Sequence, residues 1–357
     1  MKHGGNIWEF IRKGVELEQI MDFSASINPF GPPDRVQAAI CDSIKFIRHY
    51  PDPEQRDLTA HLADFLRIKE EYIIVGNGSC ETIYLLANLL HGKNILVPSP
   101  TFSEYETALV GNNATLKFPK EEEINGFCFP YEEVIDELSW ADAIWICNPN
   151  NPTGKLIEHS MLTALLDNAI KTNTLVIVDE SFLMFTASYK DGTLLNVIDN
   201  YPNLIIISSL TKFFAIPGIR IGYMATSNSA ILDKLRKQIP PWSVNIFAQM
   251  IVPGMLQRDD GFIIRSIELI EKAKDEFFKG LSEIKTLRVY PSAANFLLIK
   301  LCGDTHADEL SERLAQKNIL IRNCSNLRGL DDTYIRVAVM REKQNKVLVE
   351  EVKIGCR

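Results

Sequence analysis

The sequence has no apolar run approaching the ~18 residues of a helical membrane span, which excludes a helical membrane protein. It has no CxxC pair. Its seven cysteines (Cys41, Cys80, Cys128, Cys147, Cys302, Cys324 and Cys356) are odd in number and scattered, which argues against a disulfide framework and against a zinc site. No metal is expected. The opening MKHGGNIWEF lacks the apolar core of a secretory signal, so a cytoplasmic, reducing location is expected. Positive charge is scarce. Lys and Arg number 38 against 46 Asp and Glu, a net charge of −8, so neither nucleic acid nor an anionic membrane is an expected partner. Gly/Ser-rich linkers, internal repeats and low-complexity segments are also missing. What remains is 357 residues, 46% hydrophobic and 24% charged. That suits one large domain and a smaller one, at roughly 100–200 residues per domain.

Residues 1–33 end in Asn28-Pro29-Phe30-Gly31-Pro32-Pro33 and suggest an irregular N-terminal arm belonging to the smaller domain. Short β-branched runs then alternate with helical patterns. The candidate strands are Tyr72–Val75, Ile95–Pro98, Thr115–Phe118, Ala143–Cys147, Leu175–Val178, Leu204–Ser208 and Ile221–Ala225. Amphipathic stretches accompany them, such as Leu58, Leu62, Phe65 and Leu66 ahead of the first. This rhythm predicts an α/β large domain over 34–240, with a seven-stranded, mostly parallel sheet between helices. Residues 241–357 change rhythm. A long helix near Gly261–Leu281 precedes strands at Phe296–Lys300, Ile319–Arg322 and Tyr334–Val339, with a helix near Ala307–Lys317, which predicts a smaller α+β domain.

Ligands of open parallel sheets bind at the carboxyl ends of the strands, so the chemistry is sought there. After Tyr72–Val75 comes Gly76-Asn77-Gly78-Ser79-Cys80-Glu81, a glycine turn opening a helix, where backbone N–H groups and the helix dipole favour a phosphate. It is not a dinucleotide fingerprint, because Glu81 stands where the third glycine belongs. After Ala143–Cys147 comes Asn148-Pro149-Asn150-Asn151-Pro152-Thr153-Gly154, a stiff loop rich in amides. After Leu175–Val178 come Asp179-Glu180, and a strand-end carboxylate among apolar residues needs a partner. After Leu204–Ser208 comes Ser209-Leu210-Thr211-Lys212-Phe213-Phe214, continuing to Arg220, with a lysine in apolar surroundings that favour its neutral, nucleophilic form. The Ser-x-x-Lys of penicillin-binding proteins needs companion motifs that are missing here. A phosphate cradle, an amide loop, a strand-end carboxylate and a desolvated lysine together form the set that a pyridoxal 5'-phosphate (PLP) enzyme requires.

Through Asn148–Gly154, Asp179-Glu180 and Ser209–Gly222 the chain resembles the fold type I PLP enzymes of the aspartate aminotransferase superfamily, over nearly its whole length. The resemblance implies that Lys212 captures the cofactor aldehyde and that Asp179 partners the pyridine nitrogen. It also implies that Asn151 binds the ring hydroxyl and Phe102 stacks on the ring. The cofactor phosphate would lie among Ser79, Cys80, Ser209, Thr211 and Arg220. Tyr50 resembles the tyrosine that reaches a neighbouring subunit's cofactor phosphate, which implies a homodimer with shared sites.

Two branches of the superfamily compete: the histidinol-phosphate aminotransferases and the L-threonine-O-3-phosphate decarboxylases of cobalamin biosynthesis. The decarboxylases are resembled at His3-Gly4-Gly5-Asn6, Asp22–Pro29, Leu210–Arg220 and Pro241–Asn245, and Phe182 stands where the aminotransferases usually carry a tyrosine. The expected substrate is therefore a small phosphorylated amino acid, threonine phosphate first and serine phosphate second, with histidinol-phosphate transamination as the rival. Arg336 matches the carboxylate arginine of the superfamily. Our expectation is that Arg322 and Arg336 instead face the substrate phosphate, joined by His3, Asn28 and Asn151, since guanidinium groups suit a phosphate dianion.

Overall fold

The computed structural model describes residues 3–256 and 260–355. In chain order the strands are β1 (Met21–Asp22), β2 (Ile73–Gly76), β3 (Asn94–Leu96), β4 (Thr115–Lys117), β5 (Ala143–Cys147), β6 (Leu175–Asp179) and β7 (Leu204–Ser209). There follow β8 (Gly222–Ala225), β9 (Leu287–Val289), β10 (Phe296–Leu301), β11 (Ile319–Leu320), β12 (Arg322–Asn323) and β13 (Tyr334–Ala338). Seven strands form one sheet in the order β2-β8-β7-β6-β5-β3-β4, in which only β8 runs antiparallel to its neighbours. The fold class is therefore the α/β arrangement expected from the sequence.

Both faces of this sheet are covered, so its strands are apolar throughout and successive residues serve opposite cores. Ile144, Ile146, Val176, Val178, Leu204 and Ile206 pack on one side with Leu162, Leu165 and Leu166 of the helix His159–Lys171. Trp145, Ile177, Ile205 and Ile207 pack on the other with Ile83 and Leu86 of the helix Ser79–Leu89. The same alternation sends Asp179 and Glu180 to different sides of the sheet.

A second, antiparallel sheet has the order β12-β13-β10-β9 and packs on the helices Asp260–Ser282 and Glu342–Gly355. Three expectations need correction here. The N-terminal arm is not irregular: it carries the helix Trp8–Arg12 and β1, which pairs parallel with β11. The strand expected over Ile319–Arg322 is two, broken at Ile321, and each half pairs with a different strand. A division at residue 240 does not coincide with a packing boundary. The helix Ile246–Leu256 lies against the helices Asp34–Ser43 and Arg56–Leu66, and Val244, Ala248, Ile251 and Val252 join the core of the large sheet.

Candidate active site

A cavity of about 400 Å³ lies beyond the carboxyl ends of β5, β6 and β7, closed by the Ser24–Ile27 segment on one side and by β12 and β13 on another. It gathers His3, Ser79, Cys80, Phe102, Asn151, Ser209, Thr211, Lys212, Arg220, Arg322 and Arg336. Asp179 sits beneath it at the end of β6, 4% exposed. A smaller cavity of about 240 Å³ lies on the other side, against Glu180, Ser208, Phe214 and Tyr223. The carboxylate there, Glu180, is already held by Thr193 Oγ1 at 2.6 Å and Leu194 N at 2.9 Å, so the chemistry belongs to the larger cavity.

Lys212 lies on the single helical turn Leu210–Phe213 that follows β7, with Nζ 5.1 Å from the centre of the Phe182 ring. Among the described residues Nζ has no hydrogen-bond or ion-pair partner. Burial pushes its pKa below the ordinary lysine value, against a partial pull upward from Asp179. Asp179 is fixed at both oxygens: Oδ2 accepts from Tyr105 Oη at 2.8 Å and Oδ1 from Ser181 N at 2.9 Å.

The backbone around Ser79 leaves no room for side chains. A Cβ on Gly78 would lie 2.4 Å from Arg220 Nη2, and one on Gly222 would lie 2.4 Å from Ser79 N. Gly78 also has φ +86°, a left-handed conformation that favours glycine. These glycines bring the first turn of the helix Ser79–Leu89 close to Arg220 and to the hydroxyl pair Ser209 Oγ and Thr211 Oγ1, 2.7 Å apart. A helix N-terminus, two hydroxyls and a guanidinium around one hollow fit a phosphate. With an unpartnered amine and a buried carboxylate at the same cavity, the residues present fit PLP.

Of the three asparagines after β5, only Asn151 is at the cavity. Asn148 Oδ1 accepts from Ile157 N at 2.8 Å, and Asn150 Nδ2 donates to Pro100 O at 2.8 Å and Glu121 Oε2 at 2.7 Å, so both brace the loop. Asn151 Oδ1 accepts from Arg336 Nη1 at 2.6 Å, and Arg336 Nη2 donates to Ser24 O at 2.7 Å. Arg336 Nε, buried at the cavity, has no partner. Desolvation lowers the pKa of this guanidinium to about 10, which still leaves it charged at neutral pH. Arg322 is its neighbour in register across β12 and β13 and donates from Nη2 to Asn326 Oδ1 at 2.7 Å. At the mouth, His3 Nε2 lies 3.0 Å from Glu104 Oε1, and Tyr84 Oη donates to Glu104 Oε2 at 2.9 Å.

Two expected site residues lie elsewhere. Asn28 is outside the cavity: its Nδ2 donates to Phe213 O at 3.0 Å and Ser266 Oγ at 3.1 Å, and its Oδ1 accepts from Phe30 N at 3.0 Å. With its amide so engaged, its contribution is to tie the arm to the Lys212 turn, where Asn28 N also donates to Lys212 O at 2.9 Å. Tyr50 is 79% exposed on the outer surface, stacked on Trp242 with ring centres 4.8 Å apart. Sequence reasoning missed Tyr105, Glu104 and Ser26, whose buried Oγ faces the cavity without a partner. Tyr105 follows Phe102 by one helical turn, which was the available signal.

A family model described as aminotransferase class I and II matches residues 18–352. The threonine-phosphate decarboxylase of Salmonella typhimurium is 35% identical over 353 residues, covering 98% of this chain and 95% of that protein. The adenosylcobalamin biosynthesis bifunctional protein CobDQ of Leptospira interrogans is 31% identical, over 98% of this chain and 40% of its own length. Among solved structures, the histidinol-phosphate aminotransferase from Clostridium acetobutylicum superposes with a TM-score of 0.88 at 34% identity, covering 94% of this chain and 99% of that one. The L-threonine-O-3-phosphate decarboxylase from Porphyromonas gingivalis superposes with a TM-score of 0.84 at 28% identity, with the same coverage of 94% and 99%.

Proposed function

From the premise that the chain belongs to the aminotransferase class I and II family, we propose that it is a PLP-dependent decarboxylase converting L-threonine O-3-phosphate to (R)-1-aminopropan-2-yl phosphate in cobalamin side-chain synthesis. The observation that carries this reading is the paired, buried Arg322 and Arg336 on the wall of the Lys212 cavity, a second anion site distinct from the hollow at Ser79 and Arg220.

When bound, PLP supplies an aldehyde that condenses with amines and a pyridinium ring that accepts the electron pair of the bond broken at Cα. Lys212 Nζ is the amine that holds the cofactor, and burial favours its neutral form. With PLP bound, Asp179 would pair with the pyridine nitrogen, Phe102 would stack on the ring and Asn151 would bind the ring hydroxyl. Ser79, Cys80, Ser209, Thr211 and Arg220 would hold the cofactor phosphate. Phe182, beside Lys212, offers no hydroxyl to the ring.

Arg322 and Arg336 bind the substrate phosphate, with His3 closing the mouth of the cavity. With both guanidinium groups so used, neither would clamp the substrate carboxylate, which would be left free to depart as CO₂. Orientation thus selects decarboxylation over proton abstraction. Lys212 Nζ, at the cavity, would be the group to give a proton to Cα.

Histidinol-phosphate transamination is the second reading, favoured by the superposition on the Clostridium acetobutylicum enzyme. Serine phosphate is the alternative substrate for decarboxylation, since one methyl is worth only roughly 1–3 kcal/mol in a pocket. Incubation of the PLP-loaded protein with O-phosphothreonine, O-phosphoserine and histidinol phosphate separates the readings. Release of CO₂ from O-phosphothreonine without an oxo acid is expected. Turnover of histidinol phosphate that depends on 2-oxoglutarate would overturn the decarboxylase reading. Borohydride should fix PLP to Lys212 and fail to do so in Lys212→Ala.

We further propose a cytoplasmic homodimer with shared sites. Among the described residues no helix is long and apolar enough to cross a membrane. Exposed Ile44, Ile47, Tyr50 and Trp242 supply an apolar face for the partner subunit.

A further inference from the structure

Tyr105 lies on the helix Ser103–Gly111 and is fully buried. Its ring stacks on Trp145 of β5, with centres 5.2 Å apart at 28°, and meets the edge of Phe102 at 5.5 Å and 84°. Two rigid aromatic neighbours therefore aim its hydroxyl, and the hydroxyl donates to Asp179 Oδ2. Ser181 N occupies the other oxygen, so the carboxylate cannot rotate without losing a hydrogen bond.

We propose that Tyr105 is a positioning residue that holds the Asp179 carboxylate in place by a donated hydrogen bond, and through it sets the protonation of the cofactor's pyridine nitrogen. The inference rests on the PLP reading of the site. Its physical basis is that a hydrogen bond donated to a carboxylate stabilises the charged form, more strongly where water is excluded. Burial also raises the phenol's own pKa well above the ordinary tyrosine value, so Tyr105 remains a donor throughout the working range. The other ionisable groups facing Asp179 are Lys212 from the turn after β7, Cys80 from the helix Ser79–Leu89, Cys147 from β5, and Glu180 and Tyr223 from across the sheet. Of these, only Lys212 can bring a positive charge to it, and Lys212 is taken up by the cofactor. Cys147 Sγ is turned to Pro149 O at 3.3 Å. The tyrosine is the side-chain donor this carboxylate retains in the loaded enzyme.

The experiment is a mutant cycle of Tyr105→Phe, Asp179→Asn and the double variant, each loaded with PLP. Its readouts are the pH titration of the bound cofactor's visible absorption band and the PLP dissociation constant. Tyr105→Phe keeps the ring and removes only the hydroxyl. It should move the titration by about one pH unit and weaken PLP on the order of tenfold, the scale of one charge-assisted hydrogen bond. In the Asp179→Asn background the same substitution should change neither. An unmoved titration in Tyr105→Phe overturns the proposal, and so do equal effects in both backgrounds, which would mark Tyr105 as packing alone. Trp145→Phe, which loosens the stack but keeps the phenol, should shift the titration in the same direction by less and gives the test if Tyr105→Phe does not fold. A wild-type chain that takes up no PLP overturns the underlying reading and the proposal together, whereas normal PLP uptake with an unmoved titration overturns the proposal alone.

Discussion

Arg336 is held by Asn151 and Ser24 at its two terminal nitrogens and left open at Nε. An arginine so aimed loses little freedom when an anion arrives. Arg336→Ala should raise KM for O-phosphothreonine on the order of tenfold to a hundredfold, from hydrogen bonds to charge worth about 1.5–3 kcal/mol. The absorption spectrum of the bound cofactor should stay unchanged. Unaltered substrate kinetics would remove Arg336 from the phosphate site. A different buried group gives a pH prediction. The Glu121 carboxyl is raised by burial from 4.5 to about 8, with the bond from Asn150 opposing. The folded chain therefore holds a proton that the unfolded chain releases, and this contribution to stability falls as pH rises from about 4.5 to about 8. Glu121→Gln keeps an acceptor for Asn150 Nδ2, so denaturant unfolding of the variant should vary less across that window. Lys212 and Asp179 were legible in the sequence because charged residues at the ends of apolar runs are rare. Asn28 and Tyr105 were not, because their partners are set by tertiary packing: Ser266 lies 238 residues from Asn28, and Asp179 lies 74 from Tyr105.

The short 3₁₀ turn Glu123–Asn125, which follows β4 in the chain, is bonded to the second sheet. Glu123 Oε1 accepts from Tyr290 Oη at 2.6 Å and Arg288 Nη1 at 3.1 Å, and Oε2 from Lys300 Nζ at 2.7 Å, so one carboxylate binds β9, β10 and the residue after β9. Burial alone would raise its pKa, but Lys300, Tyr290 and Tyr334 hold it at about 2. Its contribution is complete above the unfolded value of 4.5 and is lost as pH falls from there towards 2, opposite in sense to Glu121. Glu123→Ala should lower the unfolding free energy at neutral pH by on the order of 2 kcal/mol. Chemical denaturation at neutral pH checks this, and the deficit should shrink in acid. Elements of this kind were hard to foresee. Strands β5, β6 and β7 were legible because burial on both faces leaves a continuous apolar run. Strands β1 and β9, of two and three residues, are too short to carry an alternation and are defined by the strands they join.

At the scale of the molecule, a net charge of −8 coexists with Lys212, Arg220, Arg322 and Arg336 around one cavity. Overall charge decides long-range encounters, while local charge decides the ligand. The outer face bearing Ile47 at 67% exposure and Tyr50 at 79% is the proposed subunit contact. Ile47→Asp should shift the protein from dimer to monomer in light scattering, and if sites are shared it should also weaken PLP retention. A dimer that survives this change would move the contact elsewhere.

One wall of the cavity is built from two distant stretches of the chain. Ser24 and Arg336, joined by a hydrogen bond, stand 312 positions apart, and β1 pairs with β11 in a sheet of two strands among the described residues. As the chain leaves the ribosome, the Ser24–Ile27 segment must therefore wait, exposed, until β11 and β13 have followed it. A product truncated before residue 336 would keep Lys212 and the phosphate hollow but lack this wall.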